Sequence, residues 1–160
     1  PQAASRDMYV RPDGTTGDES IVGWKASGVP GSVAGLLATH ARFGKLPRAT
    51  VLAPAIRLAR EGVVVDTGLY ESILYSRELI AKFAGRSVFL RDGAPPPIGS
   101  RLVQPALART LEAIAAHGEA AFYQGWIADS IAAEMARNGG LITKGDLARY
   151  RAAWRDPLVW

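Results

Sequence analysis

Apolar residues recur at three- and four-residue steps along most of this chain, and turn residues cut that rhythm into short pieces. Val51, Ala55, Leu58 and Ala59 mark one helical stretch, with Pro47 where it would begin and Gly62 where it would end. Leu69, Ile73 and Leu79 mark the next, and Asp66 stands where a cap belongs. Leu107, Leu111 and Ile114 stripe a third helix, which has Pro105 near its first turn and Gly118 after it. Ile127, Ile131 and Met135 lie four apart in a fourth, over 126–137, and Asn138-Gly139-Gly140 stops it. Thr143 followed by Asp146 is close to a capping box and predicts a short helix through Tyr150. With one more helix over 33–43, the chain reads as about six helices joined by short extended connectors, Val63-Val64-Val65 among them. The final Leu158-Val159-Trp160 reads as an interrupted strand.

Two regions lack the helical rhythm. Residues 11–20 are rich in turn formers, and Asp13, Asp18 and Glu19 there miss the order and distal Glu of a calcium loop, so a solvated loop is expected. Residues 84–103 hold Asp92-Gly93 and Pro95-Pro96-Pro97. Three consecutive prolines favour extended backbone and cannot sit inside a helix. Flanking Val88-Phe89-Leu90 and Leu102-Val103 look like short anchored segments, which favours a loop within a fold over an exposed proline-recognition ligand.

The densest cluster of special residues is 26–35, where Gly28, Pro30, Gly31 and Gly35 surround the start of the 33–43 helix. Gly28 and Gly31 suit a tight turn with positive φ, Pro30 fixes φ between them, and Ser32 can cap the helix. Gly31 and Gly35 leave one helical face bare enough for another backbone to approach. Such a turn either cradles an anion on free backbone N–H groups or serves packing alone. Packing is favoured, because no Lys or Ser/Thr pair completes a phosphate loop.

Composition narrows the classes without changing this picture. The 160 residues are 48% hydrophobic and 21% charged, with a net charge of +4. That length suits one domain able to bury about 68–70% of its unfolded surface. The basic residues are dispersed, as in Arg42, Lys45 and Arg48 or Arg149, Arg151 and Arg155, so no nucleic-acid partner is expected. With no cysteine there is no disulfide, thiolate metal site or cysteine nucleophile here. No apolar run is long enough to span a bilayer. The chain starts at Pro1 rather than Met, so a missing or processed N-terminus is expected.

Catalytic chemistry is hard to assemble from what remains. His40 and His117 lie near the ends of separate expected helices, where capping explains them. No His pair has zinc-ligand spacing. Glu61, Glu71, Glu78, Glu112 and Glu134 are scattered. Trp24, Trp126, Trp154 and Trp160 read as core or interface anchors, since no basic stripe interleaves them. No catalytic, substrate-binding or metal-ligating residue is therefore assigned, and no cofactor is expected.

Five stretches in one order do carry a resemblance. They are Ala4-Ser5-Arg6-Asp7-Met8 with Gly28-Val29-Pro30-Gly31-Ser32-Val33-Ala34-Gly35; His40-Ala41-Arg42-Phe43-Gly44-Lys45-Leu46-Pro47; Ala53-Pro54-Ala55-Ile56-Arg57-Leu58-Ala59-Arg60-Glu61-Gly62; Phe122-Tyr123-Gln124-Gly125; and Gly139-Gly140-Leu141-Ile142-Thr143-Lys144-Gly145-Asp146-Leu147. The set resembles the large subunit of the gamma-glutamyltranspeptidase family over essentially the whole chain.

The resemblance implies an N-terminal-nucleophile hydrolase, whose precursor cuts itself and whose small subunit starts with the attacking Thr. That Thr is expected downstream of Trp160. The arginine that grips the substrate carboxylate is expected just before this chain, in an Arg-Glu-x-Ala-Pro motif whose last residue Pro1 resembles. Locally the fold class is mainly α, and the whole would be a four-layer αββα sandwich. Residues 1–160 are then the helical middle of the large subunit, a non-catalytic scaffold. Helix stripes built for absent partners are expected to leave a large apolar patch. The implied substrate is glutathione or another gamma-glutamyl compound, the implied partner is the small subunit of the same precursor, and the implied location is periplasmic or secreted. A cephalosporin-type acylase with the same mechanism and a non-catalytic helical interaction module are the alternatives.

Overall fold

The computed structural model describes residues 1–159, and the chain forms two compact units within it. The first is discontinuous, built from 1–47 and 116–160; the second is 48–115. Nine α-helices and one two-stranded sheet are present among the described residues.

In the first unit, α1 (Ser32–Phe43), α7 (Glu119–Tyr123), α8 (Trp126–Arg137) and α9 (Lys144–Arg149) surround one core. Ala34, Tyr123, Ala128, Met135, Ile142 and Leu147 are buried together, and Trp24, Val33, Ile131 and Tyr150 pack against them. The Ile127, Ile131 and Met135 stripe faces inward as its spacing requires. Thr143 and Asp146 form the full capping box of α9. Before α1, the loop is stitched by a Val10–Thr16 bridge, the Arg11–Glu19 ion pair at 3.0 Å and 3-10 turns at Asp18–Ser20 and Trp24–Ala26.

In the second unit, α2 (Arg48–Glu61) follows Pro47 and ends at Gly62, which takes φ +84°. β1 (Val63–Val64) pairs antiparallel with β2 (Arg101–Leu102), Val63 opposite Leu102. Asp66 caps α3 (Thr67–Tyr75) by accepting the Leu69 N–H. Then come α4 (Arg77–Ala81), α5 (Arg86–Phe89) and α6 (Pro105–His117). Ala59, Val65, Ile73, Leu90, Leu102, Ala108 and Ile114 are this unit's buried apolar residues. Asp92-Gly93 makes the positive-φ turn of the Arg91–Ala94 bridge, and Pro95 and Pro96 are buried.

Several local expectations are corrected. Gly28 and Gly31 do not take positive φ; Gly31 has φ −104°. Ser32 is the first helical residue of α1 rather than its cap, and Gly31 caps without a side-chain bond. The single helix expected through Leu79 breaks at Ser76, whose ψ of 3° leaves the helical range. Residues 86–89 coil into one helical turn, and 119–123 form a helix too short for periodicity to reveal. Pro54 lies inside α2; both it and Thr50, whose carbonyl it deprives of a partner, are exposed to water. Leu158 and Val159 are exposed and form no strand, and Trp160 lies outside the described residues. Trp24 packs against the core as expected of an anchor; Trp126 and Trp154 are about half exposed, with Trp154 edge-on to Phe43.

Many apolar side chains on and beside the helices are partly or largely exposed. Leu36 (70% exposed), Phe43 and Leu46 are open in the first unit, and Leu74, Tyr75 and Leu79 in the second. No helix is long and apolar enough to cross a membrane among the described residues.

Candidate functional site

The glycine-rich turn meets α1 at a site filled by protein. The backbone N–H of Ala34, an orphan donor of the first helical turn, donates to the Tyr123 hydroxyl at 3.1 Å. That hydroxyl donates in turn to the Pro30 carbonyl at 2.8 Å. Tyr123 is held by its ring, stacked on Tyr150 at 5.8 Å between centroids and edge-on to Phe122 at 4.9 Å. Desolvation pushes the Tyr123 hydroxyl above its ordinary pKa, against the Ala34 amide that favours the charged form. A phenol therefore stands where an anion would sit, and the turn serves packing. The bare face is used at one glycine only. The Tyr150 hydroxyl lies where a β-carbon on residue 31 would stand, while Gly35 faces open space.

The second cluster surrounds the start of α9. Asp146 Oδ2 accepts from the Thr143 N–H at 2.9 Å and the Thr143 hydroxyl at 2.7 Å. Its Oδ1 accepts the Gln2 N–H at 2.8 Å. Arg149 donates to Gln2 Oε1 at 2.7 Å and to Asp146 Oδ1 at 3.4 Å. The Thr143 hydroxyl, the Thr143 amide and the Gln2 amide hold the carboxyl well below its usual range and outweigh its burial. The capping box was legible in the sequence. The tie to Gln2 was not, because 144 residues separate the partners.

The second unit has a cleft of about 600 Å³ lined by Ser87, Val88, Arg91 and residues 103–107. Its one hydroxyl, on Ser87, donates to the Ala84 carbonyl at 2.9 Å, and the lining offers no His, Asp or Glu to activate it. The other carboxylates and histidines form no further cluster among the described residues. Glu112 pairs with Arg60 and Glu134 with Arg137. His40 Nε2 sits 2.9 Å from the Leu46 carbonyl, past the end of α1, so it ties down the following loop instead of capping its own helix. Among the described residues no three His, Asp or Glu side chains are placed to hold a metal ion.

Comparison with known proteins gives one consistent answer. The profile of the family described as Gamma-glutamyltranspeptidase matches residues 1–160. A glutathione hydrolase proenzyme of Pseudomonas aeruginosa is 42% identical over 159 residues, 99% of this chain. An acylase ACY 1 proenzyme of Pseudomonas sp. strain V22 is 39% identical over 166 residues, again 99% of this chain. The crystal structure of Helicobacter pylori gamma-glutamyltranspeptidase superposes with a TM-score of 0.95 at 35% identity over 99% of the chain. The chain spans 28% of the length of that glutathione hydrolase, 30% of the acylase and 46% of the crystallised Helicobacter chain.

Proposed function

This chain belongs to the gamma-glutamyltranspeptidase family, and we propose that it is the helical middle portion of that family's large subunit. The observation that carries the proposal is the match itself: it runs through the whole chain yet takes in 28% of a glutathione hydrolase proenzyme. The complete protein would cleave the gamma-glutamyl amide of glutathione or a related compound and pass the glutamyl group to water, an amino acid or a peptide. Its Thr nucleophile would begin a small subunit released from the same precursor, with the free α-amino group as base. The carboxylate-gripping arginine would precede Pro1. No residue of 1–160 then touches the reacting atoms, and the role of this portion is to scaffold a four-layer αββα sandwich. Uncovered apolar residues such as Leu36 and Tyr75 support that reading, because helices inside a layered fold have partners on such faces. A periplasmic or secreted location completes the proposal.

The test uses the full-length gene product, a chromogenic gamma-glutamyl anilide and a dipeptide acceptor. Anilide release accelerated by the acceptor is expected. Release without acceleration indicates a hydrolase. Self-cleaved protein that releases no anilide overturns the substrate assignment, and absence of self-cleavage overturns the enzymatic reading. The acylase alternative has its own support in the 39% identity to an acylase proenzyme. It is favoured if the self-cleaved protein releases the side chain of a beta-lactam precursor and leaves the anilide intact.

A further inference from the structure

A capping box needs one carboxylate oxygen, and in α9 that oxygen is Asp146 Oδ2, which takes both Thr143 bonds. Oδ1 is committed elsewhere, to the backbone N–H of Gln2. Arg149 stands one turn further along α9 and grips the same residue by its side-chain oxygen. The Asp146 side chain is only 5% exposed, so water does not compete freely for Oδ1. Charge-assisted bonds of this kind are short and directional, and two of them hold one residue from a single helix. Gln2 is thereby fixed from both its backbone and its side chain.

On the transpeptidase reading, on which this inference rests, the carboxylate-gripping arginine lies five positions before Gln2. An extended chain covers at most about 18 Å in that distance. A clasp so close to the arginine restricts where its guanidinium can be delivered. We infer that Asp146 and Arg149 are positioning residues for substrate-carboxylate recognition, acting through the backbone at Gln2.

The experiment uses the self-cleaved enzyme from the full-length gene and two donors, a chromogenic gamma-glutamyl anilide and its analogue with the α-carboxylate converted to a primary amide. The ratio of kcat/KM between them reports grip on the carboxylate and is insensitive to the amount of folded enzyme. Asp146→Asn should lower this ratio about tenfold or more, through KM for the carboxylate donor. Arg149→Ala should lower it about threefold in the same direction. Thr143→Val removes both hydroxyl bonds of the cap and keeps the Oδ1 link, so it should lower Tm and leave the ratio in place. An unchanged ratio in Asp146→Asn and Arg149→Ala overturns the inference, and so does an equal fall in Thr143→Val. If Asp146→Asn fails to fold or self-cleave, the exposed Arg149→Ala decides by the same criterion. An unaltered, self-cleaved enzyme inactive on the carboxylate donor overturns the transpeptidase reading itself, a result distinct from an unchanged ratio.

Discussion

The Tyr123 hydroxyl donates to the Pro30 carbonyl at 2.8 Å while it accepts the Ala34 N–H at 3.1 Å, so one side chain closes both the turn before α1 and the first turn of the helix. The bond joins positions 93 residues apart. It explains why a glycine-rich turn before a helix serves packing here.

Tyr123→Phe should test that bond directly. The substitution keeps the ring and leaves a buried backbone donor at Ala34 and a half-buried acceptor at Pro30 without their partner. The expected loss is about 1–3 kcal/mol. Denaturant unfolding of the full-length protein measures it, and an unchanged midpoint would refute the role.

Gly31 and Gly35 should respond with opposite signs to the same change. A β-carbon at residue 31 meets the Tyr150 hydroxyl and ring, which cannot swing aside without leaving the stack on Tyr123. Gly31→Ala is expected to cost about 1–3 kcal/mol by overpacking. Gly35→Ala enters open space inside α1 and should be neutral or stabilise by about 0.5–1 kcal/mol. Thermal melts of the two variants should move apart, and a shared downward shift would contradict the packing argument.

Leu147 is fully buried at the centre of the first unit's core. Leu147→Ala should cost about 2–5 kcal/mol from lost transfer energy and the cavity left behind. A melting shift comparable to that of an exposed control such as Leu158→Ala would show the core to lie elsewhere.

Leu36 tests the layered-scaffold reading. It is 70% exposed here, so Leu36→Lys would be harmless if that face met water in the complete protein. With a partner layer on it, the buried charge should sharply reduce the yield of soluble full-length protein. Full yield from the variant argues against a covered face.

Asp146 sets a pH signature. Its carboxyl is held below its unfolded value by the Thr143 hydroxyl first, then by the amides of Thr143 and Gln2. Such a group contributes stability that is complete above the unfolded pKa, near 4, and is lost as pH falls towards the folded value. The stability gap between the unaltered protein and Asp146→Asn should be constant above about pH 5 and narrow below about pH 4. A gap that widens on acidification would contradict the assignment.

What the sequence determined by itself is local. The Asp66 cap, the Thr143–Asp146 box, the Ile127–Ile131–Met135 stripe and the ends of α2 and α6 are written in residues a few positions apart. Their hydrogen bonds and buried faces form within one or two turns, so spacing is enough to reveal them. The ordered stretches that resemble a known family were legible for the same reason. The tertiary structure decided the rest. Ser32 reads as a cap, but the Ala34 N–H that it would satisfy finds a hydroxyl 89 residues away. The helix carrying that hydroxyl has five residues and no period to read. The second oxygen of Asp146 was invisible as a link, since a capping aspartate looks identical whether its free oxygen meets water or a distant backbone amide. Each of these partners is brought into place only when burial of Leu147, Tyr123 and Ala34 closes the core around them.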